Sequence, residues 1–211
     1  MSCLTPPGLA LPPGVAVAAA TVPALSMLSP AERARAAAFT SPDRRLAFAL
    51  GRTAARGVLA SALGLDPAEV ALSVGADGAP TVPGRYVSIA HTGRGADAVG
   101  VAAVAHGPVG IDVEQVRPRR PDLWQRLLAP GEAGVLDALG GPTDTAQTLL
   151  WALKESVLKG QRTGFRAGAR SVVLTLGEAP GRARAVSDLS GAWEIVYARL
   201  GGAVVVVAWA V

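Results

Sequence analysis

The chain has 211 residues, half of them apolar and 17% charged, with a formal net charge of +4. That supplies a core for one generous domain or two small halves and excludes wholesale disorder. So small a charge, with only 4% aromatic residues, argues against a nucleic-acid surface, where basic and aromatic side chains interleave. A single cysteine, Cys3, rules out an intrachain disulfide, and two histidines, His91 and His106, argue against a structural zinc. This usage fits a cytoplasmic protein. No stretch reaches the ~18–20 uninterrupted apolar residues of a membrane helix. Near the N-terminus, LALPPGVAVAAATVPALSML lacks a preceding basic residue and is broken by Pro12, Pro13 and Pro23. It reads as an extended segment plus a strand rather than an export signal.

In chain order, SPAE at 29–32 predicts a capping box, with Ser29 as N-cap and Glu32 at the third helical position. SPD at 41–43 opens a longer helix that runs to about Gly64, and DPAE at 66–69 opens a short third one. The apolar period then shortens. ALSVG, YVSIAHT, DAVGVAAVA and VGIDVEQV predict strands separated by turn residues. Helical patterns return in PDLWQRLLAPGEAGVLDAL and PTDTAQTLLWALKESVLKG, and three strands close the chain: SVVLTL, WEIVYARL and AVVVVAWAV. Helices followed by strands, twice over, predict an α+β fold of two halves, 1–118 and 119–211. Each half packs helices on a mainly antiparallel sheet, and the pattern implies a pseudo-duplicated unit with a ligand cleft between the halves.

Two stretches carry chemistry. In VGIDVEQV, Asp112 and Glu114 are two residues apart and so share one side of a strand, with Ile111 and Val113 turned to a core. Paired carboxylates repel unless a cation lies between them, although a charged edge strand that discourages aggregation has the same pattern. In WALKESVLKG, Glu155 and Lys159 lie one helical turn apart, opposite the stripe of Leu150, Leu153 and Val157. A solvated ion pair worth about 0.2–0.5 kcal/mol explains that spacing equally well. Taken together, Asp112, Glu114 and Glu155 form a hard-oxygen set suited to Mg²⁺, with Lys159 placed to reach a phosphate. Nothing in the spacing shows that this helix meets that strand.

VGIDVE, followed some forty residues later by WALKESVLK, resembles the signature pair of the 4′-phosphopantetheinyl transferase superfamily. That pair reads (V/I)-G-(I/V)-D and then W/F-x-x-K-E-x-x-x-K. Length, order and doubled pattern resemble its larger, surfactin-synthetase-activator type, a monomeric pseudo-dimer, over about Leu28 to Thr175. The resemblance implies transfer of 4′-phosphopantetheine from coenzyme A to a serine of acyl or peptidyl carrier proteins, with release of 3′,5′-ADP. It implies Mg²⁺, with Mn²⁺ as a substitute, on Asp112, Glu114 and Glu155, and a phosphate-contacting Lys159. Glu155 is also placed as a base for the serine, and Glu132 in LLAPGEAGVL matches an alternative base. Lys154 pairs with the motif's first lysine.

The same resemblance places His91 of SIAHTG beside the nucleotide, with Ser88 or Thr92 adding a hydroxyl. Arg44 and Arg52 match residues that hold the 3′-phosphate, with Arg45 and Arg56 as neighbouring alternatives. Two departures bear on coenzyme A binding. Ala79 stands where relatives carry the lysine of a G-K-P turn, and Ala90 replaces a serine before the histidine. Arg117, Arg119, Arg120, Leu123 and Leu127 are expected to receive an acidic carrier helix. A Mg²⁺-dependent phosphohydrolase and a non-catalytic coenzyme A or carrier-binding module are the competing readings. No phosphate-binding P-loop, dinucleotide glycine motif or G-x-S-x-G elbow occurs.

Overall fold

The computed structural model describes residues 5–120, 122–163 and 168–211, so that Cys3 lies outside the described residues. The chain divides into two units, Pro12–His106 and Gly107–Val211, the latter joined by Pro7–Leu11.

In the first unit, Ser29 and Glu32 form the expected reciprocal cap, each side chain accepting from the other's backbone N–H. That cap starts α1, Pro30–Ala37. Ser41 caps α2, Pro42–Leu63, which ends at Gly64. Between the sheet strands come two short ones, β2 Ser73–Val74 and β3 Pro80–Thr81, paired as a hairpin. The main sheet is antiparallel, with β5 (Val99–Ala105) central between β1 (Val15–Ala20) and β4 (Tyr86–Thr92). By length and composition α2 could cross a membrane, but it is mostly buried. Its Leu50, Ala54, Val58 and Leu59 pack in one cluster with Ala102 and Val104 of β5, as in a core helix. Arg56 on α2 is 1% exposed, and its Nε donates to Glu32 Oε2 at 2.5 Å. Its Nη1 donates to the carbonyls of Pro67 and Val70. Arg56 therefore ties α1 to the turn at 67–70. That turn is a single 3₁₀ turn rather than the expected short helix.

The second unit has a five-stranded antiparallel sheet. In chain order its strands are β6 (Val109–Gln115), β7 (Val172–Leu176), β8 (Arg182–Ser187), β9 (Gly191–Leu200) and β10 (Ala203–Ala210). Their spatial order is β6-β10-β9-β8-β7. The expected division after residue 118 moves to 106, because β6 bonds along its whole length to β10, with Asp112 opposite Val206. The helical pattern at 121–139 breaks at Pro130-Gly131 into α3, Leu123–Leu127, and α4, Ala133–Ala138. Thr143 caps α5, Asp144–Gly160, which buries Leu150, Leu153 and Val157 fully. Strand β8 was not anticipated. Its alternation is regular, with Ala183 and Ala185 buried and Arg182 and Arg184 exposed. Alanine and arginine carry little strand propensity, which hides it.

Candidate active site

Gly110 explains how α5 comes to lie on β6. A Cβ on Gly110 would stand 1.8 Å from the Ser156 carbonyl oxygen and 2.6 Å from the Gly160 nitrogen. Only a strand without a side chain there lets the helix backbone approach so closely. Gly110, Asp112 and Glu114 share one side of β6. The helix that covers Gly110 therefore brings its Glu155 and Lys159 to the two carboxylates.

The charges are arranged as follows. Lys159 Nζ donates to Asp112 Oδ1 at 2.6 Å. Glu114 Oε1 accepts from Trp151 Nε1 at 3.1 Å, and its Oε2 accepts from Arg119 Nη2 at 2.9 Å. The Arg119 guanidinium also lies over the Trp151 ring, 5.8 Å from its centroid. Asp112 Oδ2 and Glu155 Oε2 are buried without a hydrogen-bond partner. Burial pushes the Glu155 carboxyl up to about 7; Lys159 counters this, while Asp112 and Glu114 reinforce it.

The helix-to-strand encounter is thus made, but the three carboxylates do not close on a common centre. Among the described residues, no three side chains of metal-ligating type are gathered to hold an ion. Protein cations take up two of the carboxylates instead. The donor set still fits a hard divalent ion: three carboxylates, two of them with a buried oxygen lacking a partner.

Two expectations change in this unit. Glu132 is 1% exposed, and both its oxygens are engaged. Oε2 accepts from the Ala129 N–H and from Lys154 Nζ at 2.6 Å, and Oε1 from the Leu174 N–H. With three donors on it and only 1% of its surface exposed, this carboxylate sits in the core as the partner of Lys154, closed off from solvent. Lys154 is equally buried and also donates to the Val172 carbonyl. Burial lowers its pKa, against the pull of Glu132. The expected carrier-docking group is likewise divided. Leu127 is buried and Leu123 packs against the core. Arg119 turns inward to Glu114, while Arg117 and Arg120 remain exposed.

The first unit holds a cavity of about 780 Å³ lined by Arg44, Arg52 and His91, together with Phe39, Phe48 and Arg94 among others. The Arg44 guanidinium lies over Phe39 and that of Arg52 over Phe48, at 5.6 and 5.3 Å from the ring centroids. Burial lowers the Arg52 pKa, opposed by Glu32, which is 3.6 Å from its Nη1. Ile89 and His91 line the cavity from β4. The alternation of the strand turns Ser88, Ala90 and Thr92 the other way, and neither expected hydroxyl lines the cavity. By the same alternation Ala90 takes nothing from it. Gly78 and Pro80 line the rim on either side of Ala79.

Sequence reasoning gave no role to Trp151, although its motif contains it, and none to Arg94. A tryptophan one turn before Lys154-Glu155 was the available signal.

Residues 108–207, nearly the whole second unit, match the family described as the 4′-phosphopantetheinyl transferase superfamily. The second unit is thus similar to the 4′-phosphopantetheinyl transferase superfamily along nearly its whole length. It is 34% identical over 114 residues to the 4′-phosphopantetheinyl transferase of Bacillus subtilis, covering 52% of this chain and 49% of that protein. It is 30% identical over 150 residues to the 4′-phosphopantetheinyl transferase HetI of Nostoc sp., covering 65% of this chain and 61% of that one. The chain thus spans about half to three-fifths of these relatives' length. The likeness to the Nostoc protein takes in more residues than the second unit contains, so it extends into the first. The span that matches the superfamily holds Asp112, Glu114, Glu155 and Lys159.

Proposed function

We propose that the chain transfers the 4′-phosphopantetheine arm of coenzyme A to a serine hydroxyl of an acyl or peptidyl carrier protein, releasing 3′,5′-ADP. The observation that carries this reading is the packing of α5 on β6, which gathers Asp112, Glu114, Glu155 and Lys159 inside the span that matches the superfamily.

The serine oxygen forms a bond to the β-phosphorus as the bond from that phosphorus to the 3′,5′-ADP oxygen breaks. Glu155 is assigned to receive the serine proton, since its Oε2 is buried without a hydrogen-bond partner. Lys159, 28% exposed, can leave Asp112 to place its ammonium on the diphosphate. Asp112, Glu114 and Glu155 would hold Mg²⁺, or Mn²⁺ in its place, which neutralises charge on the diphosphate when bound. Arg44, Arg52 and His91, which line the cavity of the first unit, are assigned to the phosphates and ring of the nucleotide. The basic balance of the chain suits acidic carrier surfaces.

The test is incubation with coenzyme A, Mg²⁺ and a panel of apo carriers, read by intact-protein mass. The carrier should gain one phosphopantetheine group with the wild type and none with Glu155→Gln. Release of 3′,5′-ADP without any carrier would favour a hydrolase instead. A folded wild type that modifies no carrier in the panel would favour a binding module.

A further inference from the structure

The geometry points to Arg119 and Lys159 as resident counter-ions of the β6 carboxylates: a divalent cation enters only by displacing them, and a diphosphate-bearing anion draws them away. This rests on the metal and coenzyme A reading proposed above and adds an order to it, in which metal and anion bind each other's completed site.

The charges define the problem. Three carboxylates, Asp112, Glu114 and Glu155, face two cations, with Lys159 on Asp112 and Arg119 on Glu114. With both cations in place and all three carboxylates ionised the set carries a net charge of minus one, and a divalent ion arriving alone would meet two positive groups already bonded to its ligands. Like charges at such range disfavour each other strongly. Both cations are built to leave. Lys159 is partly exposed on a flexible stem. Arg119 grips Glu114 through a single nitrogen, where a guanidinium that matched the carboxylate would use two. Its side chain is only 11% exposed, and its Nε is buried with no partner, so one donor is unspent. The Trp151 ring gives the guanidinium a surface to slide on, while the indole N–H keeps its own hold on Glu114. Glu114 thus stays anchored when Arg119 departs. A diphosphate offers the paired oxygens that the guanidinium fork fits.

The experiment measures Mn²⁺ binding by calorimetry at constant ionic strength, without any anion, for the wild type, Arg119→Met and Arg119→Lys. Loss of the competing charge should tighten Mn²⁺ binding by roughly tenfold in Arg119→Met, within the usual range of coupling between sites. Arg119→Lys, which keeps the charge, should stay near the wild type. Adding coenzyme A, with its own Mn²⁺ complex in solution subtracted, should tighten Mn²⁺ binding in the wild type and do so less in Arg119→Met. If Arg119→Met binds Mn²⁺ no better than the wild type, or more weakly, Arg119 is a fixed clamp on Glu114 and the inference falls alone. If no form binds Mn²⁺, the metal site itself falls and this inference with it. Circular dichroism checks each fold, and Arg119→Gln takes the place of Arg119→Met if that variant does not fold.

Discussion

Lys154 and Glu155 are adjacent on α5, and a rotation of about 100° between them sends one into the core and the other toward β6. Lys154 meets Glu132 in a fully buried pair whose remaining hydrogen bonds go to backbone groups of 129, 169, 172 and 174. Removing one partner of such a pair leaves an uncompensated buried charge, at a cost of about 3–5 kcal/mol. Lys154→Met should lose stability of that order in urea unfolding. The double variant Lys154→Met/Glu132→Leu should recover only part of it, because the Ala129 and Leu174 amides lose their acceptor. Glu155 has the opposite problem, a carboxylate with too little compensation. Its pKa rises from an ordinary value near 4.5 to about 7 in the folded chain. Between those values the native state binds more protons than the unfolded one, so stability falls as pH rises through this window and levels off above it. In chelator-treated protein, the difference in stability between the wild type and Glu155→Gln should therefore move against the wild type from pH 4.5 to 7.5. A flat difference would show that Glu155 ionises normally. The identities of these residues were legible in the motif, but their opposite fates were not, since a run of Lys-Glu says nothing of which partner each will meet.

At the scale of elements, the seating of α5 on the second unit's sheet depends on two glycines, Gly110 of β6 against α5 and Gly160 of α5 against β9. A methyl group on Gly110 collides with the Ser156 carbonyl, and one on Gly160 would stand 2.6 Å from the Trp193 ring. The first unit repeats the device, since a Cβ on Gly100 of β5 would stand 2.4 Å from the Leu50 carbonyl carbon of α2. Gly110→Ala should therefore push α5 off β6, at the roughly 1–3 kcal/mol or more that overpacking costs. The midpoint should fall by about 2–4 °C per kcal/mol for a chain of this size. Divalent-ion binding should weaken along with it. Unchanged melting would mean that the helix yields without strain. The helices and most strands could be read locally, from Ser29, Ser41 and Gly64 at helix ends and from the period of two in YVSIAHT and VGIDVEQV. What escaped was β8, whose alternating alanines and arginines carry no strand signature, and the break at Pro130-Gly131, where an apolar run was read through a proline.

At the scale of the molecule, the sequence by itself determined the α+β class, the two carboxylate-bearing segments and their likeness to the 4′-phosphopantetheinyl transferases. Caps, periodicity and a spaced motif are properties of neighbours along the chain, and they survive without any fold. Only the tertiary structure decided that β6 belongs with β10 rather than with β5, which moved the boundary between units to 106. Only there does Glu132 become a core ion pair, Arg119 turn from an expected docking surface to Glu114, and Ser88 and Thr92 fall on the side of β4 away from the cavity. Each of these outcomes is a choice among partners tens of residues apart. Packing and charge pairing make such choices once the elements are assembled, and a linear pattern does not encode them.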